Sequence, residues 1–111
     1  MELKMISFNI RCFDDENGYS IAERAPRLAA VTALYDADVI GFQEYRPTWK
    51  AYIEKYYSKQ YDMFLMYRNQ TTEDESEATP ILWRKDKLEC IKTGYFWFWG
   101  HRANKERKTN F

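Results

Sequence analysis

Histidine, cysteine, proline and glycine are all scarce in this sequence of 111 residues, which holds one, two, three and four of them. Cys12 and Cys90 fit no metal-ligand spacing and no disulfide framework, so we expect two free thiols in a reducing compartment. Basic and acidic residues number 17 each, so no net field favours nucleic acid or an anionic membrane. No apolar run approaches the roughly 20 residues that span a bilayer. No signal-peptide pattern opens the chain, and we expect a cytoplasmic location, although a removed signal peptide would leave no trace.

Aromatic residues are abundant, at 18% of the chain. A disordered chain does not carry that many large apolar rings, so we expect the sequence to fold or to belong to something that folds. Its length allows one small domain with one core. The residues therefore predict a compact α/β (α+β) unit with a mixed β-sheet and one layer of helices.

The order of predicted elements is β-α-β-α-β-β-β. The segments are a central strand at 3–10, a helix from 24 or 25 to 36, a buried strand at 37–44, a helix from 47, a strand at 61–67, and a hairpin pairing 80–84 with 88–99. Ser20 and Glu23 resemble a capping box, but Pro26 favours the later helix start. Residues 69–78 are acidic and predict a solvated loop between strands.

Glu44 ends the most apolar strand, in which Ile40 and Phe42 alternate with polar or small neighbours. Alternation places Glu44 on the side of Ile40 and Phe42, at the carboxyl end of a strand expected to be covered on both faces. That end is where α/β sheets bind ligands and metals. Alternatively, Glu44 marks only the point at which the strand leaves the core. Asn9, near the end of the first strand, is also unexpected, because Asn is depleted in strands.

Residues 100–111 change character, with several basic residues after an aromatic cluster at 96–99. Such a segment can hold single-stranded nucleic acid by stacking and charge, although a frayed, solvated terminus is by far the commoner explanation. His101, the sole histidine, lies there. We therefore divide the chain into a domain at 1–99 and a basic tail at 100–111.

Four segments together resemble the endonuclease/exonuclease/phosphatase superfamily, the metal-dependent hydrolases related to DNase I. They are residues 6–11 (ISFNIR), 38–44 (DVIGFQE), 80–89 (PILWRKDKLE) and 94–97 (GYFW). The resemblance covers nearly all of the chain to residue 99. It implies that 1–99 is the N-terminal half of a DNase I-like four-layer α/β sandwich.

The same resemblance implies a Mg²⁺-dependent phosphoester hydrolase of the phosphodiesterase, phosphatase and nuclease class. Glu44 would be a ligand of Mg²⁺ or Mn²⁺, and Asn9 would act at the same metal centre by orienting the phosphate or a neighbouring ligand. Gln43 and Arg11 are second choices, and Arg11 can instead pair with the acidic loop that follows it. The substrate class remains open among nucleic acid, phospholipid head group and sugar phosphate.

The sequence also departs from the family pattern. It contains no Gly-Asp-Phe-Asn segment, no Ser-Asp-His and no histidine in a matching context, and those features belong to the second half of the family fold. We expect the chain alone to be inactive, and its basic end to be a frayed terminus or the scar of a truncation. The sheet face that the second half covers would then be exposed. The alternative to an enzyme is a non-catalytic interaction module that forms a homodimer or pairs with a separate second half through that face.

Overall fold

The structure is a computed structural model that describes residues 2–68 and 76–96. Its elements are β1 (Met5–Asn9), α1 (Ile21–Tyr35), β2 (Val39–Gln43), a 3-10 turn (Pro47–Trp49), α2 (Lys50–Tyr57), β3 (Tyr61–Phe64) and β4 (Ile81–Arg84). The prediction of a mixed α/β fold with one sheet and one layer of helices is confirmed. Within the described ranges, neither helix is long and apolar enough to cross a membrane.

The four strands lie in the order β1-β2-β4-β3. β1 runs parallel to β2, with Asn9 opposite Gln43, while β4 is antiparallel to both β2 and β3. β1 therefore lies at an edge of the described sheet, and the prediction of a central strand there is wrong. The apolar residues on both faces of β1 misled that prediction, because the face that carries Leu3 and Met5 is exposed.

Helix α1 begins earlier than predicted, at Ile21. The Ser20 side chain accepts from the Glu23 backbone N–H and Glu23 reaches back to Ser20, so the capping box is real. The Ile21 N–H also donates to the Asp14 carboxylate at 2.7 Å. These contacts satisfy first-turn donors that would otherwise lack partners. They hold the early start although Pro26 then lies inside the helix and removes one backbone donor.

The second helix follows the 3-10 turn that starts at the predicted Pro47. Its buried residues are Ile53 and Tyr57, together with Trp49 of the turn before it. Helical spacing in the sequence predicts an apolar stripe of Trp49, Tyr52, Ile53 and Tyr56, but the structure buries Tyr57 and leaves Tyr56 exposed. Tyr57 is buried because its ring packs edge-on against Phe42, at 5.6 Å between centroids.

One face of the sheet forms the core with both helices. Ile40, Phe42 and Leu82 are at most 1% exposed and belong to the same buried cluster as Leu28 of α1 and Ile53 of α2. Burial of such side chains is the main stabilising contribution in a domain of this size. The predicted burial of the 37–44 strand is confirmed for this face alone.

The other face of the sheet is open. Met5 is 71% exposed and Ile81 48%, and Ser7 and Asp62 are exposed as well. We call this surface the open sheet face, and alternation assigns to it Met5, Ser7, Asn9, Val39, Gly41, Gln43, Asp62, Phe64, Ile81 and Trp83. The β2 residues on this face, Val39, Gly41 and Gln43, are half-buried, so the expectation that β2 is covered on both faces is met only in part among the described residues.

The predicted hairpin is only partly present. A turn follows β4 at residues 85–87, but residues 88–96 form no strand. Residues 69–75 of the acidic loop, residues 97–99 of the predicted last strand and the tail at 100–111, with His101, lie outside the described residues.

Candidate functional site

Asn9 and Glu44 lie at the same end of the sheet because β1 and β2 are parallel neighbours. Asn9 is the last residue of β1, and Glu44 follows the last residue of β2. The Asn9 Nδ2 donates a hydrogen bond of 2.8 Å to the Glu44 Oε2 across 35 residues of sequence. The carboxyl ends of the two strands thus bring together the two residues on which the sequence prediction depended.

Both strand ends carry a left-handed residue. Glu44 has φ 61° and Arg11, two residues after β1, has φ 61° as well. Non-glycine residues rarely adopt this conformation, and it concentrates at functional sites. At Glu44 it also breaks the strand alternation. The expectation that Glu44 simply continues the side of Ile40 and Phe42 is therefore wrong, since its carboxylate meets Asn9 of the opposite series.

The loop after β1 forms a cradle for the Glu44 carboxylate. The Cys12 backbone N–H points at Oε1 from 3.5 Å and the Cys12 Sγ lies 3.7 Å from the same oxygen. The Asn9 Oδ1 accepts from the Arg11 N–H at 3.0 Å, which fixes the amide so that its Nδ2 faces Glu44. The cradle therefore orients Glu44 through local backbone geometry.

These donors keep Glu44 ionised. The hydrogen bond from Asn9 is the largest influence that lowers the pKa of Glu44, and the Cys12 N–H lowers it further. The pKa of the Cys12 thiol, by contrast, is raised, mainly because the thiol is buried. Near neutral pH the site therefore presents a carboxylate beside a protonated thiol.

The side chains of the two second-choice residues contact other partners. The Gln43 Nε2 donates to the Ser7 Oγ at 3.0 Å, on the open sheet face. Arg11 forms a two-point ion pair with Asp15, at 2.5 and 2.8 Å. The Arg11 side chain therefore pairs with the acidic loop, which was the structural role that the sequence offered for it.

The donor set suits a hard cation that keeps most of its water. Within residues 2–68 and 76–96, no group of three or more His, Cys, Asp or Glu side chains is arranged to hold a metal. Glu44 supplies one carboxylate, and both ends of the Asn9 amide are engaged by protein. Mg²⁺ is often held by only one or two carboxylates plus water and phosphate oxygens, so these residues fit it, with Glu44 as ligand and Asn9 orienting it.

Sequence reasoning missed Cys12 and Glu77. The sequence predicts only a free thiol at Cys12; the thiol is free, but it is also buried against Glu44. Glu77 was assigned to a solvated loop, and that is wrong: its side chain is only 25% exposed and pairs with Arg46 and Arg68. No local pattern could have revealed this, because both arginines lie in other segments of the chain.

Comparison with known proteins places this arrangement among solved structures. No protein-family model and no curated protein matches the sequence. An endonuclease/exonuclease/phosphatase from Bacteroides vulgatus superposes on 95% of this chain with a TM-score of 0.79 and 22% identity. A mannosyl-6-phosphatase from Bacteroides thetaiotaomicron covers 86% with a TM-score of 0.71 and 26% identity.

A third similar structure is TDP2 of D. rerio complexed with a single-strand DNA product. It matches 83% of this chain with a TM-score of 0.61 and 30% identity. The chain spans 40%, 36% and 34% of the lengths of these three proteins in the order given.

Proposed function

Because the chain is similar in fold to proteins of the endonuclease/exonuclease/phosphatase superfamily, we propose that it belongs to that superfamily and carries the metal-binding part of a phosphoester hydrolase active site. The observation that supports this most directly is the 2.8 Å hydrogen bond from Asn9 to Glu44 at the carboxyl ends of two parallel strands. In this proposal Glu44 binds Mg²⁺, or Mn²⁺ in its place. Asn9 is a positioning residue that holds the carboxylate.

Each residue has a defined task. When bound, the cation neutralises charge on the scissile phosphate and its leaving oxygen. Glu44 stays ionised at neutral pH, since Asn9 and the Cys12 N–H lower its pKa. The Asn9 amide, locked by the Arg11 N–H, keeps the carboxylate in one orientation and so limits the ordering that metal binding requires.

The substrate is proposed only as a class. One similar protein is a mannosyl-6-phosphatase, and another, TDP2, was solved in complex with a single-strand DNA product. Both a sugar phosphate and DNA contain phosphoester bonds. Neither substrate transfers to this chain by likeness alone. We propose a phosphoester substrate, with nucleic acid, phospholipid head group and sugar phosphate as the classes to compare.

Metal binding is the direct test, because we expect the chain alone not to turn over substrate. Mn²⁺ should broaden the NMR signals of Asn9, Cys12 and Glu44 selectively, and excess Mg²⁺ should restore them. Glu44→Gln removes the charge at constant size and should abolish the effect. Glu89→Gln, at an exposed glutamate after β4, is the matched control and should leave it intact. Equal broadening in wild type and Glu44→Gln would contradict the proposal.

An activity assay adds a second readout. A generic phosphodiester and a phosphomonoester should be incubated with Mg²⁺ or Mn²⁺, with Glu44→Ala in parallel. Turnover that Glu44→Ala abolishes would overturn the expectation of an inactive chain, while supporting the role of Glu44.

We further propose that a second α/β layer covers the open sheet face. Met5 and Ile81 expose much of their apolar surface there, and patches of that kind mark interaction sites. The similar structures contain more than twice the length of this chain, which supports a second half as the occupant. The exposed apolar surface of this face also favours the alternative, an interaction module.

Light scattering separates these cases. A dimer that Ile81→Asp dissociates would identify a second copy as the occupant, by an isologous contact. A monomer that binds a separately produced second half would identify that half. A protein that stays monomeric at high concentration and does not bind a second half would contradict the proposal that this face is covered.

A further inference from the structure

Arg46, Arg68 and Glu77 converge at the same end of the sheet as Glu44, although they come from three segments. Ala78 forms isolated bridges to both Tyr45 and Tyr67. The residues beside those bridges are therefore brought together. The Arg68 backbone N–H donates to the Glu77 carbonyl at 2.8 Å, which fixes the register.

Glu77 holds the two guanidinium groups as a pair. The Arg68 Nη2 lies 3.3 Å from the Glu77 Oε1, and the Arg46 Nη2 lies 3.7 Å from Oε2. Each oxygen of the carboxylate thus faces a different arginine. One carboxylate between two guanidinium groups leaves a net positive charge.

This cluster adjoins the proposed metal site. The Cys12 Sγ lies 3.9 Å from the Glu77 Oε2 and 3.7 Å from the Glu44 Oε1. One buried thiol therefore separates the two carboxylates. Arg46 is also only two residues beyond Glu44 along the chain.

Arg46 retains unused hydrogen-bonding capacity. Its guanidinium stacks on the Phe13 ring, with Cζ 5.1 Å from the centroid. Its Nε is buried and has no hydrogen-bond partner in the described part of the chain. A buried donor without a partner is costly, and in native proteins such a group calls for an explanation, such as a catalytic role or a bound water or ion.

We infer that Arg46 and Arg68, held by Glu77, form an anion-binding site beside Glu44 that receives a phosphate group of the substrate. Arginine suits this role because its planar fork matches phosphate oxygens in two-point contacts. Glu77 contacts no ligand in this arrangement, and it acts as a positioning residue for both arginines. The inference rests on the proposed function for its substrate class, but the site itself requires no metal.

The test is a titration of the ¹⁵N-labelled full chain with inorganic phosphate, without metal, followed at the arginine Nε–Hε signals. We expect the Arg46 and Arg68 signals to shift together and to saturate. Arg46→Lys and Arg68→Lys keep the charge but lose the fork, and each should weaken binding at least about tenfold. Arg84→Lys is the matched control, because Arg84 pairs with Asp36 and Asp86 at the opposite end of β4 and should not affect binding.

Failure of this site differs from failure of the proposed function. Glu44→Gln should abolish metal binding yet preserve phosphate binding, since it removes a repulsive charge. Phosphate binding that needs Mg²⁺ and vanishes in Glu44→Gln would overturn the arginine site while supporting the metal site. The wild-type titration decides even where a variant fails to fold: unshifted Arg46 and Arg68 signals overturn the inference.

Discussion

The guanidinium of Arg24 lies over the indole of Trp49, with Cζ 5.6 Å from the ring centroid, and this pair anchors the loop that cradles the site. The Arg24 Nη2 lies 2.7 to 3.2 Å from three backbone carbonyl oxygens of that loop, those of Ile10, Arg11 and Phe13, and shares its two N–H donors among them. The Trp49 Nε1 donates to the Arg11 carbonyl at 3.0 Å. Helix α1 and the 3-10 turn thereby fix the backbone on which Cys12 faces Glu44.

Arg24→Lys should destabilise the protein by about 2–4 kcal/mol. Lysine lacks the fork that spans several carbonyls, and the loss of the fork removes a donor from the partly buried carbonyl of Ile10. Urea denaturation followed by tryptophan fluorescence measures the change. Arg27→Lys is the matched control on the same helix, because Arg27 stacks on Tyr19 and donates to Gly18 at an exposed position, and it should cost about 0.5 kcal/mol. Equal effects would contradict the anchoring role of Arg24.

Asn9→Ala should raise the pKa of Glu44 toward its ordinary value, because the Asn9 hydrogen bond is the largest influence that lowers it. A carboxyl group whose pKa is lower in the folded protein stabilises the fold at pH values above its ordinary pKa. That stabilisation is lost as the pH falls through the lowered pKa. The variant should therefore lose less stability on acidification. Carboxyl ¹³C NMR against pH measures the shift. Asp38, whose pKa is lowered chiefly by the Lys4 N–H at the opposite end of β2, is the internal control and should titrate unchanged.

Tyr57→Phe should make stability less sensitive to alkali. Burial raises the pKa of Tyr57 to about 12. The stability that depends on its neutral form is complete below the unfolded pKa of about 10 and is lost as the pH rises from there through about 12. Removing the hydroxyl also removes its 2.7 Å hydrogen bond to Thr32, which should cost about 1 kcal/mol at pH 7. Denaturation at pH 7 and pH 11 tests this, and the gap between wild type and variant should narrow or reverse at pH 11.

Leu82→Ala and Ile81→Ala should differ sharply although the two residues are neighbours on β4. Leu82 is 1% exposed in the core, and its truncation should cost about 2–5 kcal/mol. Ile81 is 48% exposed on the open sheet face, and its truncation should cost less than about 1 kcal/mol in the monomer. Chemical denaturation at low protein concentration measures both. A comparable cost at Ile81 would show that this face is covered in solution.

Local sequence information predicted the elements where periodicity and position agreed. The apolar run of Ile40 and Phe42 predicted β2 with Glu44 as its last residue, whereas in the structure β2 ends at Gln43 and Glu44 follows it. The capping box at Ser20 was also visible in the sequence. The helix start was nevertheless predicted too late, because Pro26 was expected to lie in the first turn. The N–H groups of the first turn already had partners in Ser20 and Asp14, which the sequence could not show.

The sequence by itself determined a small α/β unit with an apolar inner strand, a carboxylate at the end of that strand and an asparagine at the end of another. Only the tertiary structure decided that these two side chains meet, that β1 lies at the sheet edge, and that Arg46, Arg68 and Glu77 form one cluster. The physical reason is range. Propensity, alternation and capping act over a few residues, whereas strand order and side-chain meetings across 35 residues depend on which surfaces the whole chain buries.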